Sequence, residues 1–371
     1  MHLVYLSPVP WTSFAQRPHK FVEWFHSRFG GTVLWIDPYP TRFPELSDFR
    51  RVNATKSSAN VQAIGWQTPS WLAVVRPRSL PIEPMPGSGV LNRLLWSSTL
   101  GAVDLFLDKE NSRLAIGKPS ELALQVMNRH PAVPSLYDAM DDFPAFYGGL
   151  SRKAMERRER KVASRVTRIS VSSSALLDRF SIHREKLSCV PNACSVEFLP
   201  PSRDAAKSSG RIVIGYIGTM GHWFDWGLVK MLATTNPSKI IRLIGPIHKS
   251  PPKPMPPNVE LLPACSHAIA MRMMQDFSIG LIPFMRTDLT ASVDPIKYYE
   301  YRALGLPVIS TQFGEMALRR GEPGVFLTDG KSDLSAAVSS AMAYQSDTDE
   351  VEEFRLANSW GVRFDSGRIL A

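Results

Sequence analysis

Short apolar runs alternate with stretches of helical periodicity along the whole chain, and they fall into two series. In the first series the strand candidates are residues 2–6, 32–36, 101–107, 113–116, 135–138 and 167–171, with a helix around 20–29. The second series runs through 211–217, 240–244, 259–262, 277–282 and 307–310. Strands that are apolar on both faces and alternate with helices predict parallel sheets covered on each side. Between the series lies Pro200-Pro-Ser-Arg-Asp-Ala-Ala-Lys-Ser-Ser-Gly210, a polar, proline-led linker. The expected layout is an α/β pair of Rossmann-like domains over 1–200 and 201–346, followed by a last segment, 347–371.

Composition supports this picture. A chain of 371 residues exceeds a single core, and 44% hydrophobic residues suffice for two. With 21% charged residues and no low-complexity tract, disorder is excluded as the dominant state. No window approaches 18 consecutive apolar residues, and the start Met1-His-Leu-Val-Tyr-Leu-Ser-Pro lacks the pattern of a signal peptide. Cys189, Cys194 and Cys265 form no C-x-x-C pair, which fits reduced thiols and a cytoplasmic setting.

The formal charge of +9 is concentrated. Residues 152–168 hold eight Lys/Arg and two Glu, a net +6, interleaved with Leu150, Met155, Val162, Val166 and Ile169 at nearly helical spacing. The cationic face suits an anionic membrane surface or nucleic acid phosphates. Nucleic acid is not expected, because no aromatic-interleaved motif accompanies it. Trp66-Gln-Thr-Pro-Ser-Trp71 is a second candidate for contact with a membrane interface.

The chemistry-bearing pattern lies at 294–311. Lys297 and Glu300 share a helix face, Gly305 closes the helix and Pro307 bars its continuation. A helix N-terminus with an adjacent lysine suits a diphosphate, and a glutamate one turn on can accept from ribose hydroxyls. The pattern P-x-K-x-x-E-Y followed by A-x-G-x-P-V resembles the nucleotide-sugar site of bacterial glycosyltransferases with the two-domain GT-B fold.

That resemblance extends across the second half. Gly215-Tyr-Ile-Gly-Thr-Met-Gly221 is spaced G-x-x-G-x-x-G, unlike the dinucleotide-binding G-x-G-x-x-G, and with the following His222-Trp-Phe-Asp-Trp226 it resembles a segment of polysaccharide glycosyltransferases. It implies Gly218, Thr219 and Met220 beside the donor phosphates, Leu262 and Pro263 beside the base, and the loop 285–292 near the sugar. In the first half Tyr137-Asp-Ala-Met-Asp141 resembles the Y-x-A-x-D of GT-B glucuronosyltransferases, which implies Asp141 as general base. Asp138 and Asp142 flank it as candidate sugar or acceptor contacts, as do Arg17 and His19 of the Q-R-P-H stretch 16–19. The residue types alone leave other readings open: helix capping for Asp141, Asp142 and His19, and a divalent-metal cluster for the three aspartates. Retaining members carry E-x7-E; Glu300 matches the second glutamate, but Ser292 occupies the first position and the nearest carboxylate is Asp294. This leans toward inversion.

The resemblance thus implies a metal-independent glycosyltransferase without a cofactor. It would use a nucleoside diphosphate sugar, a UDP-sugar by expectation, and a glycan or lipid-linked acceptor at the inner face of the cytoplasmic membrane. It further implies a last helix that returns to the N-terminal domain, with Trp360 as packing anchor. An epimerase of the same fold and a non-catalytic basic binding protein are the alternatives.

Overall fold

The computed structural model describes residues 1–13, 16–41, 68–83, 85, 87–199, 210–330 and 334–370. Most of the expected linker, and Trp66 with Gln67, lie outside the described residues. The chain divides into two compact units, 1–190 with 364–371, and 191–363.

The first unit is built on seven parallel strands: β1 (His2–Leu6), β2 (Thr32–Ile36), β3 (Leu72–Val75), β4 (Ser112–Ile116), β5 (Ser135–Ala139), β6 (Arg168–Val171) and β7 (Leu187–Cys189), in the order β3-β2-β1-β4-β5-β6-β7. His2 of β1 pairs with Thr32 on one side and Ser112 on the other. Leu3, Val4 and Tyr5 are fully buried, as a strand sandwiched between two helical layers requires. Ser120 and Ser173 start their helices by accepting from the amides of Ala123 (3.1 Å) and Leu176 (3.3 Å).

The second unit has six parallel strands: β8 (Val213–Ile217), β9 (Ile240–Ile244), β10 (Val259–Leu262), β11 (Ile279–Ile282), β12 (Val308–Thr311) and β13 (Val325–Thr328), ordered β10-β9-β8-β11-β12-β13. In each sheet the strand order reverses beside the first strand, between β1 and β4 and between β8 and β11. Ligands of open α/β sheets bind outside the strand C-termini at such reversals.

Four expectations are corrected. Residues 101–107 are not a strand but part of the Ser97–Leu107 helix, where Leu100, Val103 and Leu107 are buried at helical spacing and Leu105 is exposed. The basic helix ends at Arg165, with Met155 and Val162 buried; Leu150 faces solvent, and Ile169 belongs to β6. β3, β7 and β13 had no counterpart among the expected strands. Finally, the tail is not one returning segment. The Thr348–Ala357 helix belongs to the second unit, where Arg355 Nε donates to the Ala303 carbonyl (2.6 Å) and Glu350 pairs with Arg302 (2.8 Å). Only 364–371 group with the first unit, where Phe364 is fully buried edge-on to Phe21 at 5.4 Å; Trp360 is buried on the second-unit side of that division.

Candidate functional site

In the first unit the expected residues divide sharply by environment. Arg17 and Asp138 are both buried and face each other, with Arg17 Nη2 2.9 Å and Nε 3.0 Å from Asp138 Oδ1. Arg17 also donates to the Val190 carbonyl (2.7 Å) and Ser170 Oγ (3.0 Å), and Tyr5 OH lies 3.4 Å from Asp138 Oδ2. This network ties the Arg17–Phe29 helix to the β5 and β6 strands, so both side chains are structural and are not open to a substrate. Removing one partner strands a charge in the interior; Arg17→Ala is expected to cost about 3–5 kcal/mol, read from urea unfolding.

His19 is also internal. Gln16 N donates to His19 Nδ1 (3.3 Å), which leaves Nε2–H to donate to the Trp11 carbonyl (3.0 Å), and the ring packs against Trp11 and Trp35. Burial pushes its pKa down to about 4, so the imidazole is neutral and caps the helix rather than contacting a sugar. Asp142 is taken up by Arg179, which also pairs with the buried Glu159.

Asp141 is different from its neighbours. It lies in the turn after β5, stays half-buried, and its carboxylate makes no ion pair or side-chain hydrogen bond among the described residues. Poor solvation pushes its pKa up to about 7; Arg17 pulls it down, and Asp142 and Asp138 add to the rise. A carboxyl group with that pKa and no cation bonded to it can exchange a proton near neutrality. Among the described residues no group of three or more His, Cys, Asp or Glu is placed to hold a metal, so Asp138, Asp141 and Asp142 do not form such a cluster.

In the second unit the loop after β8 meets the start of the Ile296–Ala303 helix. Gly218 has φ 148°, and a Cβ there would sit 2.8 Å from the Tyr216 hydroxyl and 3.7 Å from Lys297 Cε. Lys297 Nζ pairs with Glu300 Oε2 at 2.6 Å; the lysine keeps 22% of its side-chain surface and the glutamate 5%. Glu300 makes no other side-chain hydrogen bond among the described residues. Gly218 N donates to Ile244 O and Thr219 O accepts from Tyr216 OH, while the Thr219 amide and hydroxyl donate to nothing described. Met220 is closed to ligands: its side chain is fully buried, its amide donates to Pro246 O, and its carbonyl accepts from His248 and Lys249. Of Gly218, Thr219 and Met220, Thr219 is thus the residue whose amide has no acceptor among the described residues.

The neighbouring strand ends are held in place by close backbone packing. Gly245 has φ 140°, and any Cβ on it would collide with the Gly218 carbonyl. Its amide donates to Leu262 O (3.1 Å), so that carbonyl is committed; Leu262 is half-buried and Pro263 exposed. Gly245→Ala is expected to destabilise the protein by about 1–3 kcal/mol and to displace the Gly218 loop, read as a lower denaturant midpoint. Asp294, the carboxylate nearest the position held by Ser292, accepts from Asn192 N (2.8 Å), Tyr299 OH (2.9 Å) and Arg319 Nη2 (2.8 Å) and is buried. It anchors the segment before the helix and is no free carboxylate.

Comparison with known proteins gives the same architecture. The sucrose-phosphate synthase of Thermosynechococcus elongatus superposes with a TM-score of 0.66 at 12% identity, covering 99% of this chain and 98% of that one. A lipopolysaccharide outer core galactosyltransferase, WaaB, gives 0.62 at 9% identity over 100% and 99% of the two chains. The fold is GT-B. A structure described as trehalose-6-phosphate from E. coli bound with UDP-2-fluoro glucose gives 0.62 at 11% identity, covering 99% and 98%. No family model matches the chain. In sequence the chain is 26% identical over 197 residues to a Bacillus subtilis protein named as a teichuronic acid biosynthesis glycosyltransferase, TuaH, covering 47% of this chain and 50% of the relative. The chain therefore spans about half the length of the curated relative it matches.

Within this GT-B chain the supporting residues were the ones hidden from sequence reading. Ser170 and the Val190 carbonyl hold Arg17, Arg179 neutralises Asp142 and Glu159, and Arg319 with Tyr299 fixes Asp294. Each lies far along the chain from its partner or in an unremarkable local pattern, so spacing offered no signal.

Proposed function

We propose that this protein is a glycosyltransferase that moves a sugar from a nucleoside diphosphate donor, a UDP-sugar, to a lipid-linked or polysaccharide-precursor acceptor at the inner face of the cytoplasmic membrane. The observation that carries the reading is the Asp141 carboxylate, unpaired and with its pKa pushed up to about 7. Asp141 takes the proton of the acceptor hydroxyl as that oxygen bonds to the anomeric carbon; the bond from that carbon to the diphosphate oxygen breaks, and the electron pair leaves with the nucleotide. Attack from the side opposite the leaving group inverts the anomeric configuration. Lys297 and the Thr219 amide stabilise the charge that develops on the diphosphate. Glu300, held by Lys297, offers its second oxygen to the ribose hydroxyls, and Leu262 with Pro263 flanks the base. The named activity of the Bacillus subtilis relative points the same way.

Calorimetric titration with UDP, GDP and ADP, without added metal, tests the donor side. Binding of UDP in preference to the other two is expected; binding of none would overturn the reading. Turnover of a UDP-sugar into an isomeric UDP-sugar without acceptor would replace transfer by epimerisation.

A further inference from the structure

The Ser88–Leu95 helix of the first unit carries its polarity inside out. Its buried residues are Ser88, Gly89 and Asn92, while Val90, Leu91, Leu94 and Leu95 are 74%, 61%, 82% and 40% exposed. The orientation is fixed by specific bonds. Asn92 accepts from Leu80 N (2.8 Å) and donates to Leu80 O (3.2 Å), and Gln125 Nε2 donates to the Gly89 carbonyl (2.6 Å). The four aliphatic side chains are therefore held outward by the fold, and a contiguous apolar face of this kind marks a surface that meets an apolar partner.

Beside that face lies a cavity of about 550 Å³, bounded by this helix and by the Glu121–Arg129 and Gly149–Arg165 helices. Arg93, Arg157 and Lys161 line it and make no ion pair among the described residues. Arg158 lines it as well. Its Nε pairs with Glu83 (3.2 Å) and Glu121 (3.0 Å), yet its Nη1, inside a side chain only 6% exposed, has no hydrogen-bond partner. Arg158 is neutralised within the fold by those two carboxylates, whereas the three unpaired cations call for an anion, and the adjoining leucines call for hydrocarbon.

We infer that this helix and its cavity form a docking site for an anionic phospholipid surface: the aliphatic face enters the acyl boundary and the cavity receives a headgroup phosphate. The two chemistries meet on one amphiphile, whereas a free phosphate would leave the leucines unmet and a neutral apolar partner would leave the cations unmet. Trp71 is stacked on His26 at 4.5 Å. Among the described residues no helix is long and apolar enough to cross a membrane.

Flotation of the full chain with phosphatidylcholine vesicles, with and without phosphatidylglycerol, tests this. Binding to the anionic vesicles is expected, with affinity about tenfold lower for pure phosphatidylcholine. Leu91→Glu with Leu94→Glu should abolish it, and Arg157→Glu with Lys161→Glu should reduce it about tenfold or more. All four positions are exposed, so an unchanged melting temperature shows that the variants fold. UDP binding by these variants should equal that of the parent, which separates docking from the donor site. Equal flotation of parent and variants, dimerisation that Leu94→Glu breaks in the absence of lipid, or stabilisation by inorganic phosphate without vesicle binding would each overturn the inference.

Discussion

Asp141→Asn is expected to lower kcat by about 10²–10⁴-fold, the usual range for loss of a positioned general base, while leaving UDP affinity unchanged. The amide keeps the size and position of the carboxyl group but cannot take the acceptor proton. Steady-state kinetics with calorimetry on the same variant separates the two quantities. A variant retaining more than roughly a tenth of wild-type kcat would move the base elsewhere. The structure narrows the alternatives, because Asp138 is paired with Arg17 and Asp142 with Arg179.

The same carboxyl sets a pH signature. In the wild type kcat/KM should climb with pH and level off above about 7, as Asp141 loses its proton. The stability effect runs the opposite way. Folded Asp141 holds its proton up to about 7, while the unfolded chain releases it near 4, so between these values the folded state binds more protons. Its contribution to stability is thus lost as pH rises from about 4 to 7. Glu159, also pushed up to about 7 by burial, adds to that trend, and His19, pushed down to about 4, acts in the reverse sense. Comparing Asp141→Asn with wild type cancels both. The variant should be the more stable protein at pH 8, by on the order of 1–2 kcal/mol after allowance for solvent access, and the gap should close by pH 4. Thermal melts across that range check it.

Ten of the thirteen strands were legible, because residues buried on both faces write uninterrupted apolar runs such as Ile240-Ile-Arg-Leu-Ile244. The misread segment, 101–107, fails for the same reason. Its apolar residues are dense enough to mask the three- and four-residue spacing of Leu100, Val103 and Leu107. Edge strands β3, β7 and β13 are short and half-buried in part, so their signal fades into the flanking loops. At the site, position was more legible than role. Asp138 and Asp141 fall at and just after the end of β5, and Arg17 opens the first helix after β1, but whether a charge is spent inside the fold or left for a substrate depends on partners such as Ser170 and Val190, over 150 residues away from Arg17. Asp141 and Asp142 are adjacent in sequence, and only the reach of Arg179 distinguishes them.

Lys297→Ala is expected to weaken UDP binding about 10- to 100-fold, the range for one or two charge-assisted hydrogen bonds, and to lower kcat by a further 10²-fold or so. The further loss follows from timing, since negative charge on the diphosphate grows as its bond to the sugar breaks and the ammonium beside Gly218 counters it most at that point. The substitution also leaves Glu300, with 5% of its side chain exposed, without its cation. Structural damage from that orphaned carboxylate could mimic a lost phosphate contact. Two comparisons separate them. Lys297→Ala combined with Glu300→Gln removes the orphan charge, so it should recover the melting temperature without recovering UDP affinity. Uridine, which carries no phosphate, should bind wild type and Lys297→Ala alike. A loss that falls equally on uridine and UDP, or that the second substitution repairs, would make Lys297 a structural partner of Glu300 and remove it from the donor site.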